Sequence, residues 1–411
     1  MGFRMRVVVF AIAILLAACP VRADLFIRVV DTGAGLCCVI RTHSDEFMIY
    51  DFGHWNNQGY RAFRGIQDVV PADSPISLAI MSHTDSDHLG GAKRVFDAYQ
   101  VNKVVRSSLE RDTNTWRAVD TAISDEPGCE DVNLADNPLP DAIEFGETKV
   151  AFVAGWNEPP EEWGLSGSEY FNAGSICIRV EYAGKSILLC GDAVGRHLGG
   201  ASNQCIATEK FMCDNATTMP IASDVIVAPH HGADNGSSKP FIEAVDPKWV
   251  VFSSGHSYQH PTASAANRYL SHGVELDKIF RTDLGDDESA SGPYEWNHGR
   301  ISGATDSPGD DDIDIRVKPN GTITVKYRHD NSLSFTDLAA APWNAGVPKD
   351  ILKREALPPE VLVREEYGAN YVDDHAPIAS AKSETDCDNQ VYERACRHRL
   401  RLLCLPRWRY R

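Results

Sequence analysis

Met81-Ser82-His83-Thr84-Asp85-Ser86-Asp87-His88-Leu89-Gly90-Gly91 follows the apolar run Ile76-Ser77-Leu78-Ala79-Ile80. That run reads as a buried strand, so two His and two Asp leave a strand end within six residues and enter a Gly-Gly turn. Carboxylates and imidazoles at this density suit Zn, Mn or Fe, and a strand-to-loop exit aims them into one cleft. The competing reading is a polar loop in which Ser86 or Asp87 caps the next helix. Four ligating side chains this close make capping alone a poor account.

Working outward, short apolar runs recur between Gly turns. Leu25–Val30, Leu36–Arg41 and Phe47–Tyr50 read as an antiparallel meander that ends at Asp51-Phe52-Gly53-His54. Ala92–Tyr99 reads as a short helix with Val95 and Phe96 inward. Residues 108–148 lack clear periodicity and read as a long surface excursion. Ser175–Tyr182 and Lys185–Asp192 read as a hairpin turned at Ala183-Gly184, which places Cys177 opposite Cys190 and ends at Gly191-Asp192. Asp224–Pro229 is a strand running into His230-His231-Gly232. Successive strand residues diverge, so one of the two imidazoles faces the cleft; His230 is the expected ligand and His231 the outer or substrate-facing group. Lys248–Ser253 is another strand, with His260-Pro261 beyond it, then a helix from Ala263 to Leu270 and a strand from Lys278 to Asp283. Ile313–Val317 and Gly321–Tyr327 close the pattern as a hairpin.

His83-x-Asp85-x-Asp87-His88 with Gly90-Gly91 resembles the main metal motif of the metallo-β-lactamase superfamily. The commonest form has His where this chain has Asp85; the Asp form resembles the branch that contains the soluble domain of the DNA-uptake protein ComEC. The second half follows that branch in order: Asn and Ser before a hairpin, Gly191-Asp192, Pro229-His230-His231-Gly232, His260-Pro261, then Arg281-Thr282-Asp283. The resemblance implies an α+β class fold, a four-layer αββα sandwich. It implies a metal site of His83, Asp85, Asp87, His88, Asp192, His230 and His260, with Asp192 bridging, and one or two divalent cations, Zn or Mn. Asp87 would orient the attacking water and accept a proton, and His231 or His260 would assist the transition state or the leaving group. Two departures stand out. Asp85 replaces a His, and no His lies between His88 and His197, so the superfamily's mid-chain ligand is missing. Oxygen donors replace nitrogen, which weighs against β-lactam hydrolysis and leaves a single-metal site open.

The function expected is that of an exported metal-dependent hydrolase, a phosphodiesterase or nuclease-like enzyme. The alternatives are a carboxylic ester, lactone or thioester hydrolase, or a non-catalytic metal-binding protein. A net charge of −18 over 411 residues repels phosphate backbones at long range, which disfavours nucleic acid as the partner and favours a small-molecule or cell-envelope phosphoester.

Arg4 and Arg6 precede the apolar run Val7–Ala18, and Val21-Arg22-Ala23 offers a cleavage site before Asp24. Residues 1–23 therefore read as a signal peptide and the destination as periplasmic or secreted; Leu16-Ala17-Ala18-Cys19 offers lipoprotein processing instead. Eleven cysteines in an exported chain suggest disulfides, Cys177–Cys190 and Cys205–Cys213 among them, with reduced core cysteines as the alternative. Residues 24–330 form the expected hydrolase domain. Residues 331–411 read as an extension, partly docked, whose last 18 residues carry seven Arg. Gly309-Asp310-Asp311-Asp312-Ile313-Asp314 reads as a solvated acidic turn rather than a Ca²⁺ loop. His197 reads as a surface residue.

Overall fold

Two sheets share one apolar interior, and the computed structural model describes them over residues 23–109, 111–201, 203–255, 258–282, 294–296 and 311–328. Residues 1–22 with Cys19, and residues 329–411 with the Arg-rich end, lie outside these residues. Among the described residues no helix is long and apolar enough to cross a membrane.

The first sheet opens with β1 (Leu25–Val29), β2 (Cys38–Arg41) and β3 (Phe47–Tyr50), paired antiparallel, and continues in parallel through β4 (Ile76–Ile80), β5 (Lys103–Arg106) and β6 (Glu130–Asn133). The second runs antiparallel through β7 (Ala142–Phe145), β8 (Thr148–Ala154), β9 (Cys177–Tyr182) and β10 (Lys185–Leu189), then parallel through β11 (Val225–Val227), β12 (Trp249–Phe252) and β13 (Ile279–Arg281). The hairpin of β14 (Ile313–Val317) and β15 (Ile323–Tyr327) returns to the first sheet beside β1.

The central strands β1 to β4 and β9 to β13 are largely buried on both faces, which is why they read as apolar runs without alternation. Leu25, Ile27, Ile178, Val180, Ile187 and Ile315 fill the space between the sheets. Outside the first sheet lie α1 (Tyr60–Gln67), α2 (Ser86–Leu89), α3 (Ala92–Ala98) and α4 (Asn114–Asp125), with Ile66, Val95, Phe96 and Trp116 in its outer core. Beyond α5 (Ser168–Ala173), the helices α6 (Ala207–Asp214), α7 (Lys239–Val245) and α8 (Ala263–His272) cover the second sheet through Met212, Phe241 and Tyr269. Helix, sheet, sheet and helix form the four layers expected.

Three expectations need correction. Residues 108–148 are not a surface excursion without periodicity. Trp116, Val119 and Ile123 recur at helical spacing and bury one face of α4, which Thr113 caps by accepting from the Trp116 amide. The acidic turn before β14 is not solvated. Asp311, Asp312 and Asp314 are buried; Asp314 holds the Arg28 guanidinium through two hydrogen bonds of 2.8 and 3.0 Å, and Asp312 pairs with Arg328. Cations on β1 and just past β15 decide that outcome, and Arg28 is remote in sequence. Among the described residues the cysteines are free thiols. Leu189 pairs with Ile178, so Cys177 and Cys190 do meet across the hairpin, but the Cys177 thiol donates to the Cys190 carbonyl at 3.3 Å. Cys205 and Cys213 are free as well.

Candidate metal centre

The parallel halves of the two sheets send their carboxyl ends to one edge, where ligands gather in open α/β sheets. Asp51 follows β3, the His83–His88 motif follows β4, and Arg111 follows β5. Asp192 follows β10, His230 and His231 follow β11, and His260 lies beyond β12. Two glycines permit the approach. Gly191 has φ of +52°, and a Cβ there would come within 2.5 Å of Ser82 Cβ, so a side chain would push Asp192 off the motif. At Gly90 a Cβ would lie 2.4 Å from the His54 backbone.

One ligating atom from each of Asp87, His88, Asp192 and His231 falls within 4.8 Å of the others. His88 Nε2 stands 3.0 Å from Asp192 Oδ1 and 3.1 Å from His231 Nε2; His231 Nε2 stands 3.6 Å from Asp87 Oδ2. The imidazoles are anchored from behind. His88 Nδ1 donates to Asp51 Oδ2 at 2.7 Å, and His231 Nδ1 donates to the Ser253 carbonyl at 2.7 Å. Such bonds fix tautomer and ring plane and leave Nε2 to face the centre. Asp51 is buried and is itself held by the Ser82 amide and hydroxyl, both at 2.7 Å.

His83 and Asp85 form a second half of the site. His83 Nε2 lies 3.7 Å from Asp85 Oδ2 and 3.9 Å from Asp192 Oδ2. Asp192 thus turns one oxygen to each half.

The two adjacent imidazoles, of which His230 is the expected ligand, are placed differently. His230 and His231 are not on a strand: residues 229–232 form a 3-10 turn in which both have left-handed backbones, φ of +51° and +54°. Period-two divergence does not apply there, and His231 rather than His230 joins the four-donor set. His230 instead sits between Asn235 Oδ1, at 2.7 Å from Nδ1, and Asn172 Nδ2, at 3.3 Å from Nε2, with Asp192 Oδ2 at 3.5 Å. His260 is also outside the set; its ring centroid lies 5.8 Å from that of His230 and 6.4 Å from that of His231. His197 is half exposed and faces Glu169. Asp51, Arg111, Asn172, Asn235 and Ser253 had no assigned role in the sequence reading; only the Asp-x-Gly strand end and the Asn before the hairpin hinted at two of them.

Electrostatics follow from burial against opposite charge. Burial pushes the Asp87 carboxyl up, but contact with His231 and the charge of His88 prevail and hold it below its usual range. Burial likewise disfavours a charged His88, yet Asp192 and Asp51 raise its proton affinity well above normal. Burial, with His230 and His231 beside it, holds the His260 imidazole neutral. His83 Nε2 is buried and makes no hydrogen bond. Carboxylates crowded on imidazoles, with one buried ring nitrogen left without a hydrogen bond, draw positive charge, and a divalent cation fits that donor set.

A family model described as the metallo-beta-lactamase superfamily matches residues 30–256. Competence protein ComA of Neisseria gonorrhoeae is 41% identical over 80 residues, which is 19% of this chain and 10% of that relative's length. Among solved structures, the metallo-beta-lactamase fold protein YhfI of Bacillus subtilis is 10% identical with a TM-score of 0.40, covering 63% of this chain and 97% of its own. Zn²⁺-bound PqqB of Methylobacterium extorquens is 9% identical with a TM-score of 0.39, covering 62% and 97%.

Proposed function

The chain belongs to the metallo-β-lactamase superfamily, and from that premise we propose that it is an exported metal-dependent phosphodiesterase acting on a small or cell-envelope phosphodiester. The observation that carries this reading is the convergence of Asp87, His88, Asp192 and His231 with both imidazoles locked from behind. Two carboxylates and two imidazoles, with no thiolate, make a hard donor set suited to Zn²⁺ or Mn²⁺ and to oxyanion substrates. These four residues would hold a cation, which would supply Lewis acidity toward a water and toward the phosphoryl oxygens.

The chain's own residues divide the remaining work. Asp51 and Ser253 keep His88 and His231 in the tautomers that present Nε2. Asp192, almost fully buried, spans the two halves of the site. Asp87 is the member of the set most open to solvent, its side chain 21% exposed. It therefore faces the entering water. Its low proton affinity makes it an orienting acceptor rather than a group that keeps the proton. His260, held neutral, serves the leaving group as a hydrogen-bond donor and not as an imidazolium acid.

The test is hydrolysis of bis-p-nitrophenyl phosphate by chelated protein to which Mn²⁺ or Zn²⁺ is restored separately, with Asp87→Ala alongside. Metal-restored turnover lost in the variant supports the reading. Cleavage of p-nitrophenyl acetate but of no phosphodiester, with metal bound, would replace it with a carbonyl-ester hydrolase.

A further inference from the structure

The second half of the site is already occupied by a cation of the protein's own. Arg111, on the loop after β5, places Nε 2.6 Å from Asp85 Oδ1, and both atoms are buried. Asp85 stands where the superfamily's commonest motif has a His ligand, so a carboxylate that could serve a second metal instead meets a guanidinium. The pairing is built, not incidental. The guanidinium carbon lies 4.5 Å from the centroid of Phe171 on α5, which fixes the plane of the fork. The loop is latched to the motif itself, since the Thr84 hydroxyl donates to the Leu109 carbonyl, and it is held at Ser108 by Asn157. Asn172, on α5 before β9, turns its amide to His230, and its Oδ1 is left without a hydrogen bond. Among the described residues, Asp87, His88, Asp192 and His231 are the one set whose ligating atoms converge.

We propose that Arg111 takes the place of the second cation: the centre holds one divalent metal per chain, and the guanidinium binds an oxyanion of the substrate beside it. The side chain is 29% exposed, neither Nη makes a hydrogen bond to a described residue, and the ion pair with Asp85 is closest through Nε. An Arg fork that spends Nε on Asp85 keeps both Nη groups to bracket two phosphoryl oxygens, in the geometry for which Arg exceeds Lys. The chemical class recognised is a phosphate mono- or dianion, and the ordinary companion of one metal in stabilising phosphoryl charge is such a cation. The substrate limb rests on the phosphodiesterase reading; the metal count and oxyanion binding do not.

The experiment uses the purified protein, Arg111→Ala and Arg111→Lys. Bound Mn²⁺ or Zn²⁺ per chain is measured by elemental analysis after equilibrium dialysis, and inorganic phosphate binding to the metal-loaded protein by calorimetry. One metal per chain in the parent, with phosphate binding weakened at least about tenfold in Arg111→Ala and only partly restored in Arg111→Lys, supports the proposal. Retention of metal by both variants shows that the centre is folded. Two metals per parent chain overturn it, as does phosphate affinity unchanged in both variants. Should no phosphodiester be hydrolysed while phosphate still binds through Arg111, the proposed reaction fails and this inference stands.

Discussion

Asp51 Oδ2 accepts from His88 Nδ1 at 2.7 Å, from the opposite side of the imidazole to the donor cluster. The carboxylate touches no other member of the four-donor set in this way, and it is fully buried. It holds the ring plane and the tautomer. Asp51→Asn keeps the shape but offers an amide that can present its N–H to Nδ1 and turn the tautomer over. Metal affinity is expected to fall about 10- to 100-fold, the usual cost of losing an outer partner of a ligating His. Competition calorimetry with a chelator measures it. Unchanged affinity would mean that Ser82, whose hydroxyl is 3.3 Å from the same nitrogen, suffices.

Glu209 is a buried strut beneath the same edge. Its oxygens accept from the Ser237 and Ser238 amides at 2.5 and 2.8 Å, tying α6 to the loop that follows His231. Burial outweighs these bonds and pushes its carboxyl up from 4.5 to about 7. A folded-state value raised above the unfolded one means that the native state binds the extra proton. Its stability contribution is complete below about pH 4.5 and is lost as pH rises to about 7, a change on the order of 3 kcal/mol at most. Glu209→Gln is expected to flatten this segment of the stability–pH curve. Urea unfolding at pH 5 and pH 8 for both proteins is the measurement, and an equal slope in the variant would show that Glu209 is ionised throughout.

The two sheets were largely legible because burial on both faces leaves strands as unbroken apolar runs, as in Ile76–Ile80 and Val225–Val227. The Ala183-Gly184 hairpin was legible because both turn residues adopt positive φ and thereby fix the register. The helix α4 was missed because Trp116, Val119 and Ile123 are diluted among Asn, Thr, Arg and Asp, so its apolar stripe is only three residues long. Within the site, ligand types are local in sequence and were readable. Their anchors and their pairing are not local: Asp51 reaches the motif from 37 residues away, and Arg111 reaches Asp85 from the loop after β5.

That missed helix carries a prediction of its own. Trp116 is 2% exposed, with the Arg106 guanidinium carbon 5.5 Å from its ring centroid and its indole in the outer core of the first sheet. Trp116→Ala leaves a cavity between α4 and the parallel strands. A loss of about 3–5 kcal/mol is expected, read by denaturant unfolding with metal present throughout. A loss under about 1 kcal/mol would instead mean a surface helix that the sheet does not need.

The His pair gives the sharpest test of how the site is organised. His230 and His231 are adjacent in sequence, yet the left-handed turn places them on different oxygens of one carboxylate: His231 Nε2 is 3.4 Å from Asp192 Oδ1, and His230 Nε2 is 3.5 Å from Asp192 Oδ2. Only the first oxygen faces the four-donor set. His231→Ala removes a donor directly, leaving three, and is expected to weaken metal binding by two orders of magnitude or more, comparable to losing a ligand rather than its support. His230→Ala removes a neighbour of Asn172 and Asn235 and is expected to keep the metal with no more than about a tenfold change. Calorimetric titration of Zn²⁺ or Mn²⁺ into both chelated variants reads the difference. The reverse ranking would show that the turn rearranges to bring His230 to the cation, and it would restore the assignment that strand periodicity alone suggests.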